Sequence, residues 1–180
     1  MMVCGVCGRL IVLEQGEGVG VHREAIQFCS VSCIHEFLVN RSNGIDSDYE
    51  RLVEEGGRKA LTAQDAGHAY FSPVLHTHFR SVFEGTVAEV LSRKWRLRLE
   101  YEPHQFMDDM SGKIYIPDFW LPERHVWVEV KGPWSLGSKK LFGSMLSYMG
   151  RDRLLLIPWR FRVSFFKQAR ALGGAAKIVR

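Results

Sequence analysis

The sequence predicts an α/β (α+β) protein in which a small cysteine-bearing module precedes a larger domain of alternating helices and strands. All four cysteines lie within the first 33 of 180 residues. Later segments carry apolar residues either at helical spacing or in strand-like alternation. Apolar residues make up 46% of the chain, which is enough for a sizeable core without disulfides. The length therefore suits one compact domain with a small module attached.

Membrane and secreted classes are not expected. No apolar run approaches the roughly 20 residues that a membrane span needs. The N-terminal residues Met1–Gly5 have neither the basic flank nor the long apolar stretch of a signal peptide. We therefore expect a soluble, cytoplasmic protein without membrane association.

The net charge of +4 is unevenly distributed along the chain. Residues 1–68 contain 6 basic and 10 acidic residues, whereas residues 69–180 contain 18 basic and 10 acidic residues. A basic surface attracts polyanions and makes their binding salt-dependent. The longer C-terminal part is therefore predicted to attract polyanions, although a solubilising surface would have the same composition.

Four cysteines form two close pairs that are separated by 21 residues: Cys4 and Cys7, then Cys29 and Cys33. Close pairs at the two ends of a short segment are typical of tetrahedral zinc. The last cysteine begins an apparent helix, whose N-terminus would favour its thiolate form. His22 and His35 offer further ligands, but four cysteines are sufficient. The alternatives are four buried free cysteines or two disulfides.

The second cysteine pair lies in the run Phe28-Cys29-Ser30-Val31-Ser32-Cys33, which is followed by Phe37. This run resembles the second half of the small treble-clef-like fingers with an FCS-x-x-C signature, the TRASH and MYM-type group. The resemblance covers about residues 3–39. It implies a structural zinc ion and a role in binding nucleic acid or a partner protein. We therefore interpret residues 1–40 as a zinc finger.

Residues 41–70 are interpreted as a helical linker. The segment Asn40–Gly44 is rich in turn-forming residues. The segment Asp46–Leu61 carries many charges and reads as a short, mostly solvated helix. The second domain is then placed at residues 71–180.

Hydrophobic periodicity predicts seven elements in this second domain. The helices have apolar residues at every third or fourth position, and the strands have either alternation or a continuous apolar run. In order, they are helix Phe79–Arg93, a strand within Leu97–Phe106 that ends near Glu102-Pro103, strands Lys113–Leu121 and His125–Lys131, helix Lys139–Met149, strand Arg153–Pro158 and helix Val163–Leu172.

The third and fourth of these segments contain the residues with the clearest chemistry. If they are joined by the symmetric four-residue loop 122–125, Asp118 lies directly opposite Glu129 on the same face of a hairpin. Lys131 shares that face because strand side chains alternate. Opposed carboxylates repel each other, and a divalent cation with oxygen ligands would offset the repulsion.

Two carboxylates and a lysine on one sheet face predict metal-assisted attack of water on a phosphodiester. The metal would polarise a phosphate oxygen, and Lys131 would orient the water or stabilise the developing charge. The carbonyl of Val130 would be a further ligand. The alternative is an exposed hairpin with a cross-strand salt bridge.

These residues also resemble a known signature. Pro117-Asp118, ten further residues and then Glu129-Val130-Lys131 are similar to the motif of the PD-(D/E)XK nuclease superfamily. The upstream run Arg80-Ser81-Val-Phe-Glu84 looks like the helix that carries the first acidic residue of the family. The resemblance covers about residues 75–160. It implies a restriction-endonuclease-like mixed central sheet flanked by helices, and DNA cleavage that depends on Mg²⁺ or Mn²⁺.

The resemblance implies a role for four side chains in catalysis and metal binding: Glu84, Asp118, Glu129 and Lys131. The two hairpin carboxylates would bind Mg²⁺, and the lysine would be the catalytic lysine. Glu84 would contact a metal-bound water or a second metal, although Glu89 lies on a nearby turn and an ordinary surface acid is the alternative. Glu102 is interpreted as a solvated strand end.

Three further residues are candidates for nucleic-acid binding. Lys139 and Lys140 begin a helix near the expected phosphate path, with a solvated helix turn as the alternative. Trp134, like Trp159, could stack on a base or could cover the edge of the core.

Three functional hypotheses follow from these observations. The first is an active DNA endonuclease, structure-selective or nicking, whose finger docks DNA or a protein. The second is a nuclease subunit directed by a partner, similar to those of some recombination or transposition systems. The third is a nucleic-acid-binding protein with a degenerate nuclease fold, against which the intact catalytic set argues. A homodimer would explain paired cuts.

Overall fold

The computed structural model of the chain describes residues 2–11, 25–41, 70–109, 111–132, 136–150 and 152–173. Three of the expectations above lie outside these ranges: nearly all of the linker with its helix, His22, and Trp134.

Within residues 2–11 and 25–41, the N-terminal module contains a pair of short strands and one helix. Strands β1 (Met2–Val3) and β2 (Leu10–Ile11) pair antiparallel. Helix α1 (Val31–Asn40) begins after Ser30, whose hydroxyl accepts a hydrogen bond from the N–H of Cys33. A serine at this position stabilises a helix because it satisfies a backbone donor that has no partner within the helix. The module is thus ordered around its cysteines.

The second part of the chain has mixed α and β structure. Its strands are β3 (Tyr70–Ser72), β4 (Thr77–Phe79), β5 (Glu100–Tyr101), β6 (Phe106–Asp108), β7 (Lys113–Tyr115), β8 (Phe119–Leu121), β9 (Val126–Lys131) and β10 (Leu154–Pro158). Its helices are α2 (Val82–Glu89), which continues as a π-helical turn over Val90–Lys94, α3 (Leu136–Met149) and α4 (Arg162–Ala171), the last preceded by a 3₁₀ turn over Trp159–Phe161.

The central sheet is mixed and has the strand order β10-β9-β8-β5. Strands β9 and β10 are parallel, and the other pairs are antiparallel. Strand β8 pairs with β9 in the register Phe119↔Val128, Trp120↔Trp127 and Leu121↔Val126. This register is the one predicted from the symmetric four-residue loop, and the prediction is therefore confirmed.

Helices cover both faces of this sheet. On one face, Val126, Val128 and Val130 join a core that includes Phe83 of α2 and Phe165 of α4. On the other face, Trp120 and Trp127 of the sheet pack in a second core with residues of α3 and of the β6–β7 hairpin. The valine face is core as predicted, and the opposite face is buried as well.

Two sequence-based boundaries were wrong. Phe79 does not begin a helix, because it ends strand β4, which pairs with β3. Ser81 caps the start of α2 instead, because its hydroxyl accepts a hydrogen bond from the N–H of Glu84. The strand predicted to start at Leu97 begins only at Glu100, where it pairs with β8. It ends at Tyr101, close to the predicted end at Glu102-Pro103, and Glu102 adopts the left-handed conformation, with φ 44°.

The N-terminal module packs directly against the larger domain. The buried helix residues Ile34 and Leu38 belong to the same apolar core as α2 and α4. Arg160, beyond the end of β10, donates to the carbonyl of Phe28 at 3.2 Å. Arg41, which follows α1, donates to the carbonyl of Arg124 in the β8–β9 turn at 2.9 Å. Packing of one part therefore supports the other.

Helix α2 approaches β3 so closely that Gly85 has no room for a side chain. A Cβ atom there would collide with the ring of Tyr70 and would lie 3.1 Å from Cδ2 of Phe79. We expect Gly85→Ala to destabilise the protein by roughly 1–3 kcal/mol, although alanine favours helices, because overpacking outweighs helix propensity. Urea unfolding measures this change, with the more open Gly143→Ala in α3 as the control. Equal stability of the two variants would contradict the close approach.

Candidate functional site

Asp118 and Glu129 meet at one edge of the central sheet. Asp118 immediately precedes β8, and one further step of the register brings it opposite Glu129 of β9. Both side chains are buried, with 7% and 2% of their surface exposed. The N–H of Val130 donates to Oδ2 of Asp118 at 2.6 Å. The structure therefore brings together the two carboxylates that the sequence predicts.

Pro117 removes one ladder hydrogen bond beside these acids. Residues 126, 128 and 130 of β9 direct their backbone groups toward β8, because the alternate residue Trp127 donates its N–H to Arg153 on the β10 side. The register places Pro117 opposite Val130, and proline has no N–H to donate. The ladder thus supplies no donor for the carbonyl of Val130. That oxygen faces the same edge as Asp118.

Lys131 lies at the end of β9 beside this pair. Its Nζ contacts Oε1 of Glu129. The other oxygen of Glu129 accepts a hydrogen bond from the hydroxyl of Tyr115 at 2.9 Å. Lys131 retains 25% side-chain exposure, whereas the Glu129 side chain has 3%. A cation that solvent can reach therefore borders two buried acids.

Glu84 of α2 is held nearby by two hydroxyl groups. Ser81 donates to its Oε1 at 2.8 Å, and Tyr101 donates to its Oε2 at 3.0 Å. Glu89 is held elsewhere: it is fully buried and accepts from Tyr70 at 2.8 Å and from Ser72 at 2.7 Å. Of the two acids, Glu84 is the one bonded to Tyr101, which belongs to β5, the strand that pairs with β8.

The carboxylates interact electrostatically. Burial raises the pKa of Asp118 well above its ordinary value, and the negative charges of Glu129 and Glu84 raise it further. The N–H of Val130 and the ammonium of Lys131 act in the opposite direction but do not compensate. Burial and the charge of Glu129 likewise raise the pKa of Tyr115 well above its usual range. The charged form of Asp118 is therefore costly unless a cation is close to it.

Sequence reasoning missed the residues that surround these acids. Glu102 was expected to be solvated, but it is 4% exposed, forms an ion pair with Arg80 and donates its N–H to the carbonyl of Asp118 at 2.9 Å. Tyr101 connects Glu84 with Arg80, because its hydroxyl donates to Glu84 and also accepts a hydrogen bond from the N–H of Arg80 at 3.1 Å. No spacing in the sequence pairs residues so far apart, so no local signal could have found them.

The positions of the remaining predicted site residues say little about their roles. Lys139 is partly exposed and Lys140 is exposed, both on the N-terminal half of α3. Val130 is buried within β9.

The four cysteines form a second cluster, in the N-terminal module. The Sγ–Sγ distances are 3.5 Å for Cys7–Cys29, 3.6 Å for Cys29–Cys33 and 3.8 Å for Cys7–Cys33. All four sulfurs lie within 4.8 Å of one another. A tetrahedral zinc ion with Zn–S bonds of about 2.3 Å needs sulfurs about 3.8 Å apart. All four cysteines are free, so the disulfide alternative does not apply.

Backbone geometry prepares the first cysteine pair for a metal. The N–H of Gly8 donates to the carbonyl of Cys4 at 3.0 Å, and Gly8 has φ 69°, a conformation that favours glycine. Burial disfavours the thiolate of Cys4, but hydrogen bonds from the backbone at Cys7, Val6 and Cys29 outweigh it and lower the pKa to about 6. The four thiols are thus arranged to hold one metal ion such as zinc.

Comparison with protein-family models, with curated proteins and with solved structures finds no match.

Clusters of potential metal-binding side chains were compared across the structure. Within the part of the chain that the structure describes, only the four cysteines form a group of three or more potential metal-binding side chains with closely gathered ligand atoms. The acids Glu84, Asp118 and Glu129 do not form such a group.

Across the same described ranges, every helix is too short or too polar to cross a membrane.

The raised pKa of Asp118 has a measurable consequence. Between the unfolded value of about 3.9 and the higher folded value, the folded state binds more protons, so stability falls as pH rises. Without added divalent metal, Asp118→Asn should therefore be more stable than the natural chain at pH 8, by at least ~2–4 °C in Tm if about 1 kcal/mol is relieved. The advantage should shrink as pH falls toward 4.

Thermal unfolding across this pH range tests the prediction, with the exposed Asp109→Asn as the matched control. A less stable Asp118→Asn protein at pH 8 would show that the carboxylate stabilises the fold and would contradict the electrostatic argument.

Proposed function

We propose that this chain is a metal-dependent endonuclease that hydrolyses phosphodiester bonds in DNA. The observation that carries the proposal is the buried pair Asp118 and Glu129 with Lys131 in contact with it. Structural salt bridges do not need two acids buried opposite each other, since the second acid only adds repulsion. A site that binds a cation and an anionic substrate does need them.

The residues at this edge fit a divalent cation such as Mg²⁺ or Mn²⁺. Asp118 and Glu129 supply carboxylate oxygens, the ligands that hard cations prefer. The carbonyl of Val130 would add a third oxygen, because Pro117 leaves it without a donor in the ladder. Glu84 would contribute through a metal-bound water. When bound, the cation would polarise a phosphate oxygen and lower the pKa of a bound water.

The surrounding residues would prepare the site for this chemistry. The hydroxyl of Tyr115 and the N–H of Val130 fix the orientation of one oxygen on each carboxylate. Lys131 would hold the attacking water or stabilise the charge that develops on the phosphate. Arg80 adds a second cation beside the acids, held by Glu102.

The fold supports the same proposal. Helix α2 precedes three antiparallel strands of the sheet, and α3 then leads to the parallel strand β10. A mixed sheet with helices on both faces is what the resemblance to the PD-(D/E)XK superfamily implies. The restriction-endonuclease-like fold remains part of the proposal, as does a structural zinc ion in the finger.

A cleavage assay tests the proposed function. Purified protein is incubated with Mg²⁺ or Mn²⁺ and with single-stranded, duplex, flapped and four-way-junction DNA, and with RNA. We expect cleavage of at least one DNA substrate, with products of intermediate length that mark an endonuclease. Failure to cleave any substrate with either metal, by folded protein that retains its zinc, would refute the proposal for the isolated chain.

A further inference from the structure

Trp159 lies next to the proposed catalytic edge. It directly follows β10, whose last residue Pro158 pairs with Lys131. Its ring also contacts Phe83 of α2, at a centroid distance of 5.5 Å and an angle of 89°. Phe83 immediately precedes Glu84 in the helix. Trp159 is therefore one residue along the chain from the strand partner of Lys131, and it contacts the residue that precedes Glu84.

Trp159 is the most exposed tryptophan among the described residues, and Phe71 and Tyr148 are the other strongly exposed aromatic residues. Trp159 is 40% exposed, whereas Trp95, Trp120 and Trp127 are at most 8% exposed. A large aromatic ring at the surface is a frequent feature of binding sites, because it offers a wide apolar contact area at little entropic cost. Packing against the core explains the buried part of the Trp159 ring but not its exposed part.

A cation accompanies the ring. The guanidinium carbon of Arg162 lies over the Trp159 ring at 4.1 Å from its centroid. Val163, next to it in α4, is 53% exposed and extends the apolar surface. An aromatic ring with an arginine is the combination by which proteins bind single-stranded nucleic acid, since the ring stacks on a base and the cation contacts the phosphate.

We propose that Trp159 and Arg162 form a binding site for an unpaired nucleotide next to the scissile phosphate. This inference rests on the proposed nuclease function and narrows its substrate. A base inside an intact duplex already stacks on its neighbours and presents only its edge, so it cannot stack on Trp159. Single strands, flaps and frayed ends are therefore the preferred substrates, and blunt duplex is a poor one.

The competing explanation is that Trp159 only covers the edge of the core around Phe83. The choice of variants separates the two explanations. Trp159→Leu keeps an apolar side chain against Phe83 but removes the aromatic face, whereas Trp159→Phe keeps both in reduced form. Arg162→Ala removes the cation, and Arg170→Ala removes an exposed arginine from the far end of the same helix as a matched control.

The test measures binding rather than cleavage. A fluorescently labelled single-stranded DNA of mixed sequence and a blunt duplex of the same length are titrated without added divalent metal, over a range of salt concentrations. We expect tighter binding of the single strand by the natural chain. Trp159→Leu should weaken it by about 5- to 150-fold, and Trp159→Phe by much less. Arg162→Ala should flatten the salt dependence by about one phosphate contact.

Outcomes of this test are independent of the cleavage assay. Equal single-strand affinity of Trp159→Leu and the natural chain, or an Arg170→Ala effect as large as that of Arg162→Ala, would overturn the inference while leaving the nuclease proposal intact. Preference for the blunt duplex would also overturn it. If the natural chain neither binds nor cleaves any nucleic acid, both the inference and the proposed function fail.

Discussion

Lys131→Ala should lower the rate of DNA cleavage by about 10²–10⁴-fold, the range expected when a catalytic group that stabilises or transfers charge is removed. Asp118→Asn should reduce cleavage at least as strongly, because the amide cannot supply the negative charge that holds a divalent cation. Neither change should prevent folding, since Lys131 is partly exposed and an asparagine oxygen can still accept the N–H of Val130. Single-turnover cleavage of the preferred substrate gives the rates directly.

The exposed lysine of β7 provides a matched control for these variants. Lys113→Ala removes the same charge from the same domain away from the acid pair, and we expect less than about a threefold effect. Circular dichroism confirms that each protein is folded. Undiminished cleavage by Lys131→Ala would show that this lysine has no catalytic role, and undiminished cleavage by Asp118→Asn would move the metal site elsewhere.

Cys33→Ser should release the metal proposed for the four-cysteine cluster and lower the stability of the whole protein. Cys33 belongs to α1, and the buried face of α1 forms one core with α2 and α4. Because a structural zinc site contributes its binding free energy to folding, we expect a loss of at least about 3 kcal/mol, or roughly 6–12 °C in Tm. Zinc content by mass spectrometry should fall from one ion per chain to none.

The shape of the melting curve shows whether the N-terminal module unfolds together with the larger domain or separately from it. Circular dichroism reports the helices, and tryptophan fluorescence reports all five tryptophans, among them Trp95, whose ring lies 4.9 Å from that of His35 in α1. Both signals should shift together in Cys33→Ser and should not shift in the exposed control Ser32→Ala. An unchanged main transition would mean that the N-terminal module folds and unfolds independently of the larger domain.

The sequence predicted the β8–β9 hairpin well because its determinants are local. A four-residue loop fixes the register, and alternation then assigns each side chain to a face. The same holds for α3 and β10, whose boundaries differ from the prediction by a few residues. Asp118, Glu129 and Lys131 could be recognised together because their proximity follows from one hairpin.

The parts that escaped prediction depend on contacts between distant segments. Phe79 fits a helical period, but pairing of β4 with β3 places it in a strand. The ion pair of Arg80 with Glu102 and the hydrogen bond of Tyr115 to Glu129 join separate elements. The packing of α1 on the domain is similarly invisible to periodicity, because an apolar helix face does not specify what covers it.

The tight turn between β8 and β9 also restricts how this chain can change in length during evolution. Insertion of one residue into loop 122–125 would slip the strand register, and every side chain of one strand would then face the other side of the sheet. Asp118 and Glu129 would no longer meet. The connection between β6 and β7 holds neither of these acids. Homologous chains that keep the chemistry should therefore show gaps in that connection and a constant ten-residue interval between Asp118 and Glu129.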